Sequence, residues 1–259
     1  MPTLHIVIPC YNEQPTLEAC LQRVMAAPLP VCTSGEPWQR AIILIDDHSR
    51  DGTRSLAESL IERITSDGTR AALLHHEVNR GKGAAVRTGF DAVLKDPRLN
   101  EDDLIIIQDA DLEYDPNDYA ALMQPIINGE AEVVYGTRWG NHRPVTGMWR
   151  RLHAFGNRTL TRLSNWMTGY RINDMECCYK LFTPSMLRAV RPFLSEDRFG
   201  VEPQITAALS RLGARLAEVQ VKYDPREAID GKKIGWTDGV RAIYVILRER
   251  LGRSPSKHG

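Results

Sequence analysis

Residues 104–116 read LIIIQDADLEYDP, and this stretch decides the fold. Four apolar residues run without interruption, and Asp109 and Asp111 follow them after Gln108. A short continuous apolar run predicts a strand that is buried on both faces. Because ligands of parallel sheets bind beyond the carboxyl ends of the strands, the two carboxylates are expected at a ligand site.

Outward from this stretch, apolar runs alternate with segments of helical spacing. Strands are predicted at 4–9, 41–46, 71–76, 103–109 and 131–138, and helices at 15–27, 51–64, 81–95 and 116–128. The alternation predicts an α/β fold with a mainly parallel central sheet and helices on both faces.

The pattern becomes less regular after residue 140. It indicates basic amphipathic helices at 148–169 and 235–253, helices at 185–194 and 202–213, a short strand or loop at 177–182 and a strand at 215–225. Since no low-complexity linker or internal repeat interrupts the sequence, residues 1–259 are expected to form a single domain.

The charge of the chain is balanced overall but divided between its halves. The 259 residues include 33 Lys and Arg and 33 Asp and Glu, which argues against a nucleic-acid partner. Residues 1–137 hold 22 acidic and 11 basic side chains, and residues 138–259 hold the reverse. Such a division suits a metal in the first half and phosphates or a membrane surface in the second. A chance distribution over solvated faces is the alternative.

Targeting signals are missing from the sequence pattern. The N-terminus has no basic segment followed by a long apolar run, and no stretch of ~18 apolar residues occurs. The five cysteines show no zinc-type spacing, which indicates free thiols. We therefore expect a cytoplasmic protein, with peripheral contact at the inner face of the membrane as a further option.

Polar segments follow the predicted strands and should meet at one rim of the sheet. They are CYNE (10–13), DDHS (46–49), EVNRGKG (77–83), DADLE (109–113) and GTR (136–138). Asp109 and Asp111 can share a hard divalent cation, to which Glu113 adds negative charge. The alternative is a turn or helix cap before Pro116.

Two other rim segments suggest ligand contacts. Asp47 can accept hydrogen bonds from a base N–H or from ribose hydroxyls, whereas Asp51 is expected to cap a helix. Arg80 and Lys82 lie among glycines at a predicted helix start, where an anion is favoured. A solvated turn is the alternative there, and the segment lacks the ending of a Walker motif.

These segments in this order resemble family 2 glycosyltransferases of the GT-A fold. The later segments INDMECCYKLF, RFGVEPQITAAL and YDPREAIDGKKIGWTDG resemble those of polyprenyl-phosphate sugar transferases, typified by dolichyl-phosphate mannose and glucose synthases. The resemblance implies a GT-A nucleotide-sugar-binding fold. Residues 1–138 would form the nucleotide-sugar half, and residues 139–259 the acceptor half with a C-terminal amphipathic helix.

The resemblance also implies roles for individual residues. The nucleotide would be contacted by Pro9, Tyr11, Glu13, Ile45 and Asp47, the donor diphosphate by Arg80 and Lys82, and the metal by Asp109, Asp111 and Glu113, with Ala110 beside the donor. Arg138 would act in catalysis, and Arg226, Lys232 and Lys233 would contact the diphosphate or an acceptor phosphate. Asp174 would be a base or orienter, or else a structural partner. Glu202 would be a substrate contact or a buried carboxylate at a helix start.

The implied reaction is an inverting transfer of glucose or mannose, from UDP-glucose or GDP-mannose, to a polyprenyl or dolichyl phosphate with Mg²⁺ or Mn²⁺. A soluble acceptor, such as a sugar, a glycerate or a protein, is the second enzymatic interpretation. An inert binding domain is a third. A nucleotidyltransferase is disfavoured because CYNE is not a glycine-rich loop. The sequence leaves open the oligomeric state, and whether the basic helices lie on a membrane or pack on the sheet.

Overall fold

The computed structural model describes residues 1–32, 35–139, 148–225 and 236–251. Its sheet has seven strands in the order β3-β2-β1-β4-β6-β5-β7. The strands are β1 (Thr3–Cys10), β2 (Gln39–Asp46), β3 (Arg70–His75), β4 (Leu104–Ile107), β5 (Val133–Thr137), β6 (Lys180–Phe182) and β7 (Leu216–Gln220). The predicted α/β fold with a mainly parallel sheet is confirmed.

One strand runs against the others. β1 to β4 pair in parallel, as do β5 and β7, whereas β6 pairs antiparallel with both β4 and β5. The sequence left 177–182 open between a strand and a loop. Because β6 is reversed, the segment before it lies at the edge where the parallel strands end.

Helices cover this sheet. They are α1 (Leu17–Ala26), α2 (Thr53–Ser66), α3 (Lys82–Leu94), α4 (Tyr119–Ile127), α5 (Met148–Thr168), α6 (Pro184–Val190), α7 (Val201–Leu212) and α8 (Trp236–Leu251), with 3₁₀ turns at Pro116–Asp118 and Arg191–Phe193. All eight residues of β1 are buried, so both faces of this strand are covered. α3 approaches β1 and β2 closely because Gly89 has no Cβ, which would collide with Val7 and Ile45.

Two predicted caps can be compared with the structure. Gly52 occupies the cap position of α2, and Asp51, one residue earlier, accepts a hydrogen bond from the Thr53 amide at 2.9 Å, so its carboxylate satisfies the first N–H of the helix. The 3₁₀ turn at Pro116–Asp118 is capped by Asp115, whose side chain accepts from the Asn117 amide at 3.0 Å. Asp111 makes a local turn contact of its own, because its side chain accepts from the Glu113 amide at 3.2 Å.

The two halves of the chain share the sheet, since β6 and β7 come from the second half and β6 lies between two strands of the first. α5, α7 and α8 pack against one another. α8 buries Ala242, Val245 and Ile246 but exposes Ile243 and Tyr244. In the described part of the chain, no helix is both long and apolar enough to span a membrane.

Candidate active site

The predicted rim exists at the carboxyl edge of the sheet, and the backbone there is strained. Three non-glycine residues in the described part of the chain have positive φ: Asn12 at 53°, His48 at 61° and Leu112 at 64°. Each lies in a segment that follows β1, β2 or β4. Because such conformations are costly for ordinary side chains, their clustering marks this edge as a candidate functional site.

Gln108, which is 1% exposed, anchors the start of the Asp-x-Asp loop at Asp109–Asp111. The Gln108 Oε1 accepts hydrogen bonds from the hydroxyls of Tyr119 at 2.6 Å and Tyr179 at 2.8 Å. Its amide nitrogen donates to the carbonyl of Asp109 at 2.8 Å. Tyr119 lies in α4 and Tyr179 precedes β6, so two distant parts of the chain fix the start of this loop.

A chain of ion pairs links Asp109 to α7. Lys82, the first residue of α3, places Nζ 3.0 Å from the Asp109 carboxylate and 3.2 Å from Glu202 Oε1. Burial opposes the charge of Lys82, but Asp109 and Glu202 outweigh it and raise the pKa of Lys82 well above its ordinary value. Lys82 is therefore a fixed cation beside the predicted metal ligand.

The other two predicted metal ligands have protein contacts of their own. Asp111 Oδ1 accepts from the Glu113 amide at 3.2 Å, and Glu113 Oε2 accepts from the Tyr223 hydroxyl at 2.9 Å. Within the described residues, no three potential metal-ligating side chains form a preassembled cluster. Mg²⁺ commonly takes only one or two protein carboxylates and completes its shell with phosphate oxygens and water. The half-buried carboxylates of Asp109 and Asp111 fit that requirement.

Asp47 occupies the place where an external anion was predicted. Its carboxylate accepts hydrogen bonds from the amides of Arg80 at 2.9 Å and Gly81 at 2.6 Å, beside the start of α3. It also binds His76 Nδ1 at 2.6 Å and the side chain of Asn79 at 2.9 Å. Asp47 is 3% exposed. The structure thus places Asp47 as an organiser of this loop, and its carboxylate as the anion at the helix start.

The glycines of this loop permit close packing. A Cβ at Gly81 or Gly83 would collide with the backbone oxygens of Asp197 and Glu196. The Ala84 amide donates to the Asp197 carbonyl at 3.0 Å, so another N–H of the helix start is occupied. The side chain of Arg80 is exposed and has no partner among the described residues.

The predicted nucleotide contacts divide into rim and core residues. Tyr11 is half-buried at the rim, and Glu13 accepts from the Thr16 hydroxyl at 2.9 Å at the start of α1. Pro9 and Ile45 are paired opposite each other inside the sheet. Ile45 is 0% exposed and lies in the core of the sheet. Ala110 is buried as well.

Arg138 and Asp174 form a buried bidentate ion pair. Arg138 Nε and Nη2 donate to the two carboxylate oxygens of Asp174 at 2.6 and 2.7 Å. Asp174 is 0% exposed, and the Arg138 guanidinium also lies 5.1 Å from the centroid of the Tyr223 ring. Burial opposes the charge of Arg138, but Tyr114 and Asp174 raise its pKa well above the ordinary value. Of the two roles left open for Asp174, this geometry favours the structural partner.

Sequence reasoning missed Glu176 and Lys180. Lys180 is fully buried, and its Nζ donates to the carbonyls of Met175 at 3.0 Å and Cys177. Burial and the neighbouring Glu202 raise the pKa of Glu176 to about 8, against the opposing effect of Lys180. The available signal was ECCYK (176–180), in which two charged residues flank an apolar segment.

The predictions for Arg226, Lys232 and Lys233 fall outside the described residues. Asp224 lies beside the Asp-x-Asp loop, since its amide donates to the Glu113 carbonyl at 2.9 Å.

Comparison with known proteins identifies the class. The profile described as "Glycosyl transferase family 2" matches residues 5–191, so the chain belongs to this family and is a glycosyltransferase. A UDP-N-acetylglucosamine–dolichyl-phosphate N-acetylglucosaminyltransferase of Methanococcus voltae is 24% identical over 96% of this chain and 97% of its own. A dolichyl-phosphate beta-glucosyltransferase of Dictyostelium discoideum is 28% identical over 96% and 74%.

Solved structures agree on the fold. Glucosyl-3-phosphoglycerate synthase of Mycobacterium tuberculosis, in complex with Mn²⁺, UDP-glucose and glycerol 3-phosphate, gives a TM-score of 0.63 at 18% identity. That alignment covers 98% of this chain and 82% of the synthase. A mannosyltransferase of Pyrobaculum calidifontis with GDP-Man and Mn²⁺ gives 0.61 at 18% identity, over 98% and 66%. The predicted GT-A fold is therefore confirmed.

Proposed function

We propose that this glycosyltransferase moves a hexose, glucose or mannose, from UDP-glucose or GDP-mannose to a polyprenyl or dolichyl phosphate with inversion. The observation that carries the proposal is the meeting of Asp109, Asp111, Lys82 and Arg138 at one edge of the sheet. The dolichyl-phosphate transferases among its relatives support the acceptor. Residues 1–138 would hold the donor, and residues 139–259 the acceptor.

The charges explain how the site would work. Asp109 and Asp111 would hold Mg²⁺ or Mn²⁺, which when bound neutralises the donor diphosphate. Lys82 is kept charged beside them, and the exposed Arg80 is available to the same diphosphate. Stabilisation of a leaving diphosphate by fixed cations is electrostatic catalysis.

The acceptor side would depend on positioning more than on proton transfer. A phosphate monoester is already anionic near neutral pH, since its second pKa is ~6, and it can attack without a strong base. Asp174 keeps Arg138 charged and oriented, and Arg138 would orient an acceptor phosphate. Arg226, Lys232 and Lys233 are proposed to add positive charge on this side.

The test is an acceptor assay with labelled UDP-glucose and labelled GDP-mannose, each with Mn²⁺ and with or without a polyprenyl phosphate. We expect label in an organic-soluble product only when the polyprenyl phosphate is present. Label that enters only water-soluble acceptors, such as phosphoglycerate, would contradict the proposed acceptor and favour the alternative enzyme.

We also propose that the protein meets its lipid acceptor at the membrane surface through α5 and α8. Exposed apolar residues recur along one face of α8 at helical spacing: Val240, Ile243, Tyr244 and Leu247. On α5, Phe155 and Trp166 are 66% and 77% exposed. Arg158 and Arg162 lie on the same exposed stripe, and within the described residues neither forms an ion pair. Aromatic and basic residues on one face suit an anionic bilayer.

Replacement of Phe155 and Trp166 by Ser should weaken binding to vesicles of phosphatidylcholine and phosphatidylglycerol by at least about tenfold, because two large apolar side chains no longer enter the interface. Vesicle co-sedimentation measures this affinity. Ile127→Ser, which removes a 43% exposed apolar side chain from α4, is the matched control and should bind like the wild type. Equal binding of all three proteins would refute the membrane contact.

A further inference from the structure

Two buried carboxylate oxygens have no hydrogen-bond partner in the described part of the chain: Glu202 Oε2 and Glu176 Oε1. Glu202 is 6% exposed, and its other oxygen lies 3.2 Å from Lys82, which also pairs with Asp109. Glu176 is close enough to Glu202 for the two carboxylates to interact electrostatically. Burial of an acceptor without a hydrogen bond costs free energy, so a ligand that offers hydrogen-bond donors would be favoured at these two oxygens.

The backbone around Glu176 is firmly held, so its unpaired oxygen does not reflect a loose loop. The Met175 amide donates to the Thr161 hydroxyl at 3.2 Å, and Lys180 binds the carbonyls of Met175 and Cys177. Asp174, two residues before Glu176, is locked to Arg138. The loop therefore presents the Glu176 carboxylate from a fixed position.

The chemistry of the two carboxylates limits which kind of ligand group can bind there. A phosphate group would be repelled by both carboxylates, and Lys82, the nearby cation, is already held by the other oxygen of Glu202 and by Asp109. A neutral group with several hydroxyl donors would satisfy both unpaired oxygens, and the hydroxyl-rich part of a nucleotide sugar is its hexose. Above its raised pKa of about 8, Glu176 is charged and accepts stronger hydrogen bonds than a neutral group.

We propose that Glu176 and Glu202 together bind hydroxyl groups of the hexose that is transferred, and that Glu176 helps to select among hexoses. This inference rests on the proposed function, in that it takes a nucleotide-bound hexose as the donor. It assigns to Glu176 a specificity-determining role that the Asp-x-Asp motif cannot supply, because that motif serves the diphosphate common to all donors.

The test is calorimetric binding in Mn²⁺ of UDP-glucose, UDP-galactose, UDP-N-acetylglucosamine and GDP-mannose, each compared with UDP or GDP alone. At pH 9, where Glu176 is charged, Glu176→Gln should weaken binding of the preferred nucleotide sugar by roughly ten- to a hundredfold, as expected for a lost hydrogen bond to a charged group. Its affinity for the free diphosphate should stay unchanged. Glu202→Gln should also lower the affinity for the nucleotide sugar relative to that for the free diphosphate. Glu101→Gln, on an exposed loop, should change neither affinity.

The inference would be overturned if, in both glutamine variants, the affinity for the nucleotide sugar relative to that for the free nucleoside diphosphate were the same as in the wild type. So would a loss of Mn²⁺ affinity in Glu176→Gln without nucleotide, since the pair would then be a second cation site. Failure of transfer to the polyprenyl phosphate in the acceptor assay counts against the proposed acceptor alone. The binding ratio is measured without any acceptor, so the two failures are distinguishable.

A stability measurement separates a binding effect from damage to the fold. Burial and Glu202 raise the pKa of Glu176 from 4.5 to about 8, against the opposing charges of Lys180 and Arg138, and Asp174 adds to the rise. An acid with a raised pKa binds more protons in the folded state, so its contribution to stability falls as pH rises from 4.5 through 8. Glu176→Gln removes this loss, and its unfolding temperature at pH 9 should equal or exceed that of the wild type.

Discussion

Replacement of Asp111 by Asn is expected to reduce metal-dependent sugar transfer by roughly a hundredfold or more, because metal stabilisation of the leaving diphosphate is worth several kcal/mol. Asn keeps a side-chain oxygen that can accept from the Glu113 amide, as Asp111 does at 3.2 Å. The loop should therefore keep its shape while it loses one negative charge. The measurement is kcat/KM as a function of Mn²⁺ concentration.

Asp115→Asn is the matched control for this prediction. Asp115 lies in the same loop, caps the turn at Pro116–Asp118 and pairs with Lys222 on the surface. Its replacement makes the same change of charge four residues away and should leave transfer within about twofold, since surface ion pairs contribute little. Equal losses in both variants would mean that Asp111 acts through the general charge of the loop and is not a metal ligand.

The role of Lys82 explains why the effect should depend on metal concentration. In the structure, Lys82 already neutralises Asp109 and is held by Glu202 from the other side. Asp111 lies two residues further along the same loop and is the second carboxylate proposed to bind the metal. Asp111→Asn removes that carboxylate and leaves the Lys82–Asp109 pair in place, so the apparent metal affinity should fall. A variant that lost rate at all Mn²⁺ concentrations, with unchanged metal affinity, would contradict this reasoning.

The parts of the fold that the sequence predicted are those set by local pattern. The run 104–107 is apolar throughout, and such a run needs a covered strand wherever its partners come from. The polar residues after each strand then had to meet at one edge, because parallel strands end on the same side. That rule placed Asp109, Lys82 and Arg138 together without knowledge of strand order.

The parts that the sequence could not predict depend on partners far away in the chain. β6 has three residues, too few for a periodic signal, and its place between β4 and β5 rests on pairing with residues more than 40 positions away. The pairing of Lys82 with Glu202 joins residues that are even further apart in the chain. Asp47 appeared available for a ligand because its four donors, all protein groups, come from residues 76–81 only after folding. Ile45 was assigned to the base by resemblance, but the close approach of α3 buries it.

Asp174→Asn is expected to lower the unfolding temperature by roughly 6–15 °C, because one partner of a buried ion pair removed alone costs about 3–5 kcal/mol. Asn keeps one acceptor for the Arg138 side chain but no charge to balance it. Transfer should weaken mainly through a higher KM for the polyprenyl phosphate, since Arg138 loses its orientation. A normal unfolding temperature combined with a large fall in kcat would instead identify Asp174 as a base.

The double replacement Arg138→Met with Asp174→Leu separates stability from function. Removal of both charges leaves no unpaired ion in the interior, so the unfolding temperature should return towards that of the wild type. Transfer should not return, because the Met side chain offers no cation to an acceptor phosphate. Recovery of both properties would show that the pair only holds the loop before β6 in place. Recovery of stability alone would show that Asp174 acts through Arg138, and that Arg138 acts on the substrate.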